Sequence, residues 1–528
     1  MYLIGIDVGT TGTKVILTDE KGNIIGKGYK EYSLITLPGG KVEQRAEDWY
    51  EAAVFATREA LSHFDGDKND IVALSLSTQG GSTLPVDENY EPLSASYTWM
   101  DRRGVKEIEE AAREIGTDAI YRKTGWEPDP SLDIAKFRWM QKHEKELFDK
   151  AHMFLTTSEY MNYRLTGNAV TDPGNAAMRQ LFNINTGDWD DELLSLAGVS
   201  RDKMPKCVFT GEYIGNLTEK AAEELSLPTS VKVYNGGHDQ YCAAVGCGAV
   251  EDGDMLLSTG TTWVVLGVSD KPLFTESFLA PGVHPCKGVF GNIASLRSAG
   301  SALKWLKNVI GEDDFKKMDD EAEKRRDSAK NVFFYPYFAG AGFPHNMDNF
   351  NSCVLGLELM NDKYDLARAL MEGIAFETRG VLEEFERCGT KIKGLKMVGG
   401  AAKSKVWSKI TADVCNCEIF FPTEPDTCCI GAALLAAVGC GIYPDYVTAG
   451  KNMIKHSGTL TPDGEAAAFY DEKYKKLALK AADELAKRYN PKGGYIRAWG
   501  RMDYKTPEYV DGELAKNHFF CESKGLAI

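Results

Sequence analysis

No run of apolar residues in this chain approaches the roughly 20 that a membrane-spanning helix needs, and the chain enters a strand directly with no secretory leader. A cytoplasmic protein with no membrane partner is therefore expected. Positive charge is in short supply, with 61 Lys and Arg against 77 Asp and Glu and a formal net charge of −16. A polyanionic partner is disfavoured by that balance, so no nucleic acid is expected. Metal-ligand spacing is missing too. Of the 12 cysteines, only Cys415/Cys417 and Cys428/Cys429 form close pairs, neither is Cys-x-x-Cys, and no histidine cluster follows them. That argues against a zinc site and reads as free thiols in a reducing compartment.

What the chain does have is a glycine–threonine tip between two apolar runs, Ile4-Gly5-Ile6-Asp7-Val8-Gly9-Thr10-Thr11-Gly12-Thr13-Lys14-Val15-Ile16-Leu17. Two strands and a tight turn are predicted, with glycines leaving backbone N–H groups free to face an anion. Thr10, Thr11 and Lys14 add donors suited to a polyphosphate. Asp7 closes the first strand, where a carboxylate could hold magnesium through water, because that ion keeps most of its waters. A surface hairpin whose glycines merely turn the chain is the plainer alternative. The same design returns in Asp254–Leu266, where Gly260-Thr261-Thr262 aligns with Gly9-Thr10-Thr11 at an offset of 251 residues. A repeat of that kind predicts two similar lobes, each opening with a hairpin.

Between and after the tips, strand patterns alternate with helical ones, which indicates an α/β architecture. Predicted helices include Ala46–His63, Ser131–Lys150, Tyr241–Gly248, Ser298–Ile310, Lys363–Cys388, Lys405–Cys415 and Tyr470–Tyr489. Predicted strands include Asn23–Tyr32, Ile71–Ser77, Ala95–Met100, Lys232–Tyr234 and Leu395–Val398. The last delivers Gly399-Gly400-Ala401-Ala402-Lys403-Ser404 to a helix N-terminus, a geometry that suits an anion. The boundary between lobes is expected at Val250–Gly253. Expected domains are residues 1–250, residues 251–460, and a C-terminal helix and tail over residues 461–528.

Taken together these segments resemble the FGGY carbohydrate kinase family over about residues 1–445. Ser352-x-Val354-x-Gly356-Leu357, seven residues, then Asp365-Leu366-x-x-Ala369-Leu370-Met371-Glu372-Gly373 fits its C-terminal signature. Lys136-Phe137-x-Trp139-Met140-x-Lys142-His143 meets the N-terminal one, with Asp133 standing where Pro, Ser or Thr is usual. The xylulokinase-like branch looks nearest. What the resemblance implies is a duplicated actin-like (ribonuclease H-like) ATPase fold around a central cleft, using ATP and Mg²⁺ to phosphorylate a small sugar or polyol. A homodimer is a candidate assembly. A kinase of another ketose, alditol or sugar acid is the alternative, and a non-sugar actin-like ATPase a remoter one.

The resemblance also implies roles. Asp239, in Gly237-His238-Asp239, sits where the family carries its catalytic base; on the residues alone a helix N-cap is the competing role. Asp7 would organise Mg²⁺. Thr10, Thr11, Lys14, Gly260, Thr261, Gly300, Gly400 and Ser404 would contact the nucleotide. Gln79, Trp99, Asp101, Arg102 and Gln240, with Asp239, would contact the sugar, although Trp99 could equally be core. Xylulokinases show Gln-Met-His where this chain has Gln79-Gly80-Gly81, and Trp-Asn-Asp-Gly-Arg where it has Trp99-x-Asp101-Arg102. Two missing side chains should leave room, so an acceptor other than D-xylulose is expected.

Overall fold

The computed structural model describes residues 1–347, 350–487, 489–490 and 494–495, so most of the expected tail from Asn490 to Ile528 lies outside the described residues. The chain falls into two compact units. One comprises Met1–Leu256, Leu266–Ile293 and Pro422–Ser457; the other comprises Leu257–Val265, Ala294–Phe421 and the chain from Gly458 on.

The first sheet contains β1 (Tyr2–Val8), β2 (Gly12–Asp19), β3 (Ile24–Glu31), β4 (Ile71–Thr78), β5 (Tyr213–Asn216) and β6 (Lys232–His238), in the order β5-β6-β4-β1-β2-β3. The β1–β2–β3 meander is antiparallel, whereas β1, β4 and β6 run parallel. Val8 pairs with Thr78 and Thr78 with His238, so three strands end at one edge. Ligands of open α/β sheets gather at such carboxyl ends. The second sheet contains β7 (Met255–Thr259), β8 (Trp263–Ser269), β9 (Ala280–Val283), β10 (Phe290–Leu296), β11 (Leu395–Gly399), β12 (Ile419–Pro422) and β13 (His456–Leu460), ordered β9-β10-β8-β7-β11-β12-β13.

Helices that bear on the site are α1 (Ala46–Leu61), α2 (Asp133–His143), α3 (Asp239–Gly246), α4 (Gly300–Val309), α5 (Lys363–Arg387), α6 (Lys405–Cys415), α7 (Thr427–Gly439) and α8 (Gly464–Lys487). On one face of the first sheet, α1 buries Trp49, Ala53, Ala56 and Ala60 against Ile4, Ile6, Val15 and Leu17. Helix α7, alanine-rich and almost wholly apolar, packs against Leu3, Ile16 and Ala73 from the same sheet. Its approach is close enough that a Cβ on Gly5 would sit 1.9 Å from the Cys429 carbonyl oxygen. That is why 422–457, expected in the second lobe, belongs to the first unit. In the second unit the signature residue Glu372 on α5 takes Arg368 Nε at 2.7 Å and Lys473 Nζ of α8 at 2.5 Å. Burial alone would raise the Glu372 carboxyl; Lys473 and Arg368 hold it below its ordinary value.

The helix predicted over Ser131–Lys150 is in fact two, α2 and a short turn of helix at Lys145–Lys150. The break falls at Glu144, whose φ of −136° leaves the helical range. Its carboxylate accepts the Tyr97 hydroxyl instead. Of the strand predicted over Ala95–Met100 only Ser96–Tyr97 forms, and the chain then turns Trp99 outward. Asp133, the departure from the family signature, is buried and bonds the Thr83 hydroxyl and the Arg179 guanidinium. Arg179 is itself fully buried, so the acid is a counter-charge that Pro, Ser or Thr could not supply.

Candidate active site

The first hairpin ends in a tip stripped of free acceptors. The Gly9 carbonyl accepts the Tyr32 hydroxyl at 2.5 Å, the Thr10 carbonyl accepts Gln44 Nε2 at 2.6 Å, and the Thr11 carbonyl accepts the Tyr32 N–H at 3.2 Å. Gly12 O takes the Gly9 N–H at 3.1 Å. What remains to be offered is N–H and O–H, as an anion requires. Thr11 is exposed there and Thr10 half-buried. Lys14 is not free in the same way: its Nζ pairs with Asp426 Oδ1 at 2.7 Å, at the start of α7.

Asp7 stands beneath this tip, paired across the hairpin with Lys14 and across β4 with Ser77, whose Oγ donates to Asp7 Oδ1 at 2.7 Å. Burial lifts its carboxyl from 3.8 to about 7, the Ser77 bond opposes this, and the nearby charge of Asp239 adds to it. Asp239 opens α3. It is the first helical residue, His238 occupies the cap position, and no side chain caps the helix. The Asp239 carboxylate is therefore not spent as an N-cap, and it stays partly open. His238 Nε2 lies 3.4 Å from Asp239 Oδ1, and burial lowers the His238 pKa, which keeps that imidazole neutral at pH 7.

Around the same sheet edge, four buried side-chain atoms have no protein hydrogen-bond partner among the described residues: Gln79 Oε1, Gln240 Oε1, His238 Nδ1 and Asn175 Oδ1. Asn175 reaches this edge through a 3.2 Å bond to Thr78 Oγ1. Unmet buried groups are costly, so ordered water or the hydroxyls of a ligand belong beside them. Trp99 is 45% exposed and its Nε1 donates to Thr10 Oγ1 at 3.0 Å, so it is a wall of the site and not core.

Two sequence expectations are corrected here. Asp101, expected to meet the sugar, is fully buried, and its oxygens accept Val42 N at 2.7 Å, Arg103 Nε at 2.8 Å and Arg103 Nη2 at 2.8 Å. It anchors Arg103, which lies over the Tyr97 ring at 3.7 Å, and has nothing left for a ligand. Nor does Gly80-Gly81 leave room. A Cβ on Gly80 would stand 2.5 Å from both His238 Cδ2 and Met178 Sδ, and one on Gly81 would stand 3.1 Å from Trp99 Cβ. The space that two larger side chains would fill is taken by His238, Met178 and Trp99. Buried Lys136 secures this turn, donating to the Gly81 carbonyl at 2.7 Å. Arg102, by contrast, is exposed, with its backbone N–H on Gly40 O at 2.8 Å.

The second unit assembles the other glycine loops on its own hairpin. The Thr259 hydroxyl donates to Val398 O at 2.6 Å and accepts Ala401 N at 3.1 Å, and Gly400 N bonds Thr259 O at 2.8 Å. Gly300 starts α4 so close that a Cβ there would be 2.3 Å from Gly260 O, and Ser301 N bonds Thr261 O at 3.1 Å. Gly260, Thr261, Gly300 and Gly400 thus meet. Ser404 is at their margin, its Oγ capping α6 by accepting Trp407 N at 3.0 Å.

Gln44 was not among the sequence candidates. It joins the phosphate-facing tip to Gln79, whose Nε2 donates to Gln44 Oε1 at 2.8 Å. A buried glutamine ending a short strand carries no motif, and only its bonds to Thr10, Gln79 and Trp49 reveal it.

The family model for the N-terminal domain of the FGGY family of carbohydrate kinases matches residues 2–246, and that for the C-terminal domain matches residues 255–440. The chain is 29% identical to the xylulose kinase of Bacillus subtilis (strain 168) over 483 residues, 90% of this chain and 95% of that one. Among solved structures, ligand-bound xylulose kinase from Lactobacillus acidophilus superposes with a TM-score of 0.86 at 26% identity, covering 92% of this chain and 98% of that one. Gluconate kinase from the same organism gives a TM-score of 0.85 at 26% identity, with coverages of 92% and 98%.

Proposed function

Because the chain belongs to the FGGY family of carbohydrate kinases, we propose that it transfers the terminal phosphoryl group of ATP to a hydroxyl of a small ketose, with Asp239 as the base that accepts the hydroxyl proton. The observation that carries this is the Asp239 carboxylate itself: partly open, unspent as a cap, and close enough to Asp7 to raise its pKa. Phosphoryl transfer asks for positioning, neutralised charge and a proton acceptor, and little else. The first hairpin tip, with its carbonyls engaged, supplies donors for phosphate oxygens. The unpartnered Gln79 and Gln240 oxygens are suited to a polyhydroxyl compound.

Magnesium fits Asp7. Burial and the nearby Asp239 carboxylate raise the cost of ionising Asp7, and the nearby cation, Lys14, is already paired with Asp426. Among the described residues no group of three or more metal-binding side chains forms, so the ion would keep most of its waters and lean on Asp7. When bound it would neutralise charge on the phosphates. The similarity to xylulose kinases favours a pentulose as the first reading, and with the Gly80-Gly81 space filled, the expectation of a preferred acceptor other than D-xylulose loses its main support. The exposed Arg102 and the likeness to a gluconate kinase favour a sugar acid as the second reading.

The test is ADP release over a panel of ketoses, alditols and aldonates, followed by Asp239→Asn. The best acceptor of the panel should lose turnover by about 10²–10⁴-fold in that variant, with binding of a non-hydrolysable ATP analogue retained. Near-normal turnover by Asp239→Asn would sink the assignment.

A further inference from the structure

We propose that Trp99 is a positioning residue for the phosphate tip: its indole N–H fixes the polarity of the Thr10 hydroxyl so that the Thr10 proton is presented to a phosphoryl oxygen. This rests on the kinase reading above and deepens it. An indole nitrogen can only donate, so in the 3.0 Å contact between Trp99 Nε1 and Thr10 Oγ1 the threonine oxygen is the acceptor. A hydroxyl that is accepting still has one proton to give, and with its neighbour's donor engaged it gives it outward. The same logic fixes the other end of the residue. Gln44 Oε1 receives Trp49 Nε1 at 3.3 Å, another donor-only group, and Gln79 Nε2 at 2.8 Å. Its amide is thereby locked with Nε2 on the Thr10 carbonyl at 2.6 Å.

Thr10 is therefore held at its hydroxyl by the Trp99 indole and at its carbonyl by an amide that the Trp49 indole helps to orient. With the carbonyls of Gly9, Thr11 and Gly12 also engaged, a flexible turn becomes a rigid array of donors. Pre-oriented donors stabilise developing charge without reorganisation. Trp99 comes from the segment expected to meet the sugar and is 45% exposed, so the same side chain that holds Thr10 stays open to a ligand.

Trp99→Phe separates the two roles, since it keeps the ring and removes the N–H. Steady-state kinetics on the best acceptor of the panel, and calorimetric binding of a non-hydrolysable ATP analogue, are measured for wild type, Trp99→Phe, Thr10→Ser, Thr10→Val and Trp99→Phe/Thr10→Val. Thermal melting checks that each variant is folded. Expected for Trp99→Phe is a fall of about tenfold in kcat/KM for ATP and a similar weakening of the analogue, with the sugar KM within about twofold of wild type. Thr10→Ser, which keeps the hydroxyl, should lose less than Thr10→Val. Adding Trp99→Phe to Thr10→Val should cost nothing further, because the hydroxyl it orients is gone. A raised sugar KM with unchanged nucleotide parameters, or an equal cost of Trp99→Phe in the Thr10→Val background, overturns the proposal. Absence of any phosphorylated acceptor for wild type would instead overturn the kinase reading, and the analogue binding would still judge Trp99.

Discussion

Asp7 is asked to carry charge where the protein resists it. Burial is the main cause, the Asp239 carboxylate adds to it, and the result is a pKa of about 7 against 3.8 in an unfolded chain. Between those values the folded protein holds a proton that the unfolded chain has released. Stability of the metal-free protein should therefore be lost through Asp7 as pH rises towards about 7, and be constant in that respect above it. Calorimetric melting from about pH 5 to about pH 8 should show this slope in wild type and a flatter one in Asp7→Asn. Magnesium with nucleotide should reverse it, since the ion binds the carboxylate form. Equal slopes in the two proteins would contradict the assignment. At this scale the sequence was partly legible. Asp7 and Asp239 stand out in the sequence as candidates, since few other residue types suit such work, but Asp426, 412 residues from the Lys14 it pairs with, does not. Asp101 misled because an aspartate beside an arginine reads the same whether it faces a ligand or anchors its neighbour.

Hairpins and amphipathic helices are local patterns, and α1, α5 and α6 were legible within a residue or two of their ends. What was not legible is how closely elements approach. Gly80-Gly81 reads as an absence of side chains; that Met178 and His238 come to fill the place is settled by other elements. The pair α3 and α7 shows the same effect. A Cβ on Gly431 would lie 1.9 Å from the Cys242 carbonyl oxygen, and one on Gly246 would lie 1.9 Å from Thr427 O. These glycines let two helices touch backbone to backbone, and α3 carries Asp239 at its first turn. Gly431→Ala must push α7 away from α3, which should cost about 1–3 kcal/mol. Because the base rides on α3, kcat should fall while the binding of nucleotide changes little. A lowered melting temperature with undiminished kcat would show that α3 holds its place without α7.

Across the whole molecule, the compact first unit is discontinuous in sequence. The boundary expected at Val250–Gly253 follows from the repeat, and a repeat reveals where a lobe begins better than where it is finished. Here Pro422–Ser457 returns to the first unit after the chain has built much of the second. The returning α7 lays Cys429, Ile430, Ala433, Leu434 and Ala437 against Leu3, Ile16, Ala73 and Val245. It also supplies Asp426 to Lys14, and Glu424 to Lys27 at 2.6 Å. A chain ending near residue 250 would expose that entire apolar face of the first sheet and leave Gly5 over an empty space. At about 25 cal/mol per Å² of apolar surface, several uncovered side chains cost an amount comparable to the 5–15 kcal/mol that holds an ordinary domain together. The fragment of residues 1–250 should therefore fail to melt cooperatively and should bind apolar dyes. Residues 1–293 co-expressed with a separate segment 422–457 should regain cooperative melting, since the missing face is supplied again. A stable, cooperatively melting 1–250 fragment would mean that α7 only covers a core that is already complete.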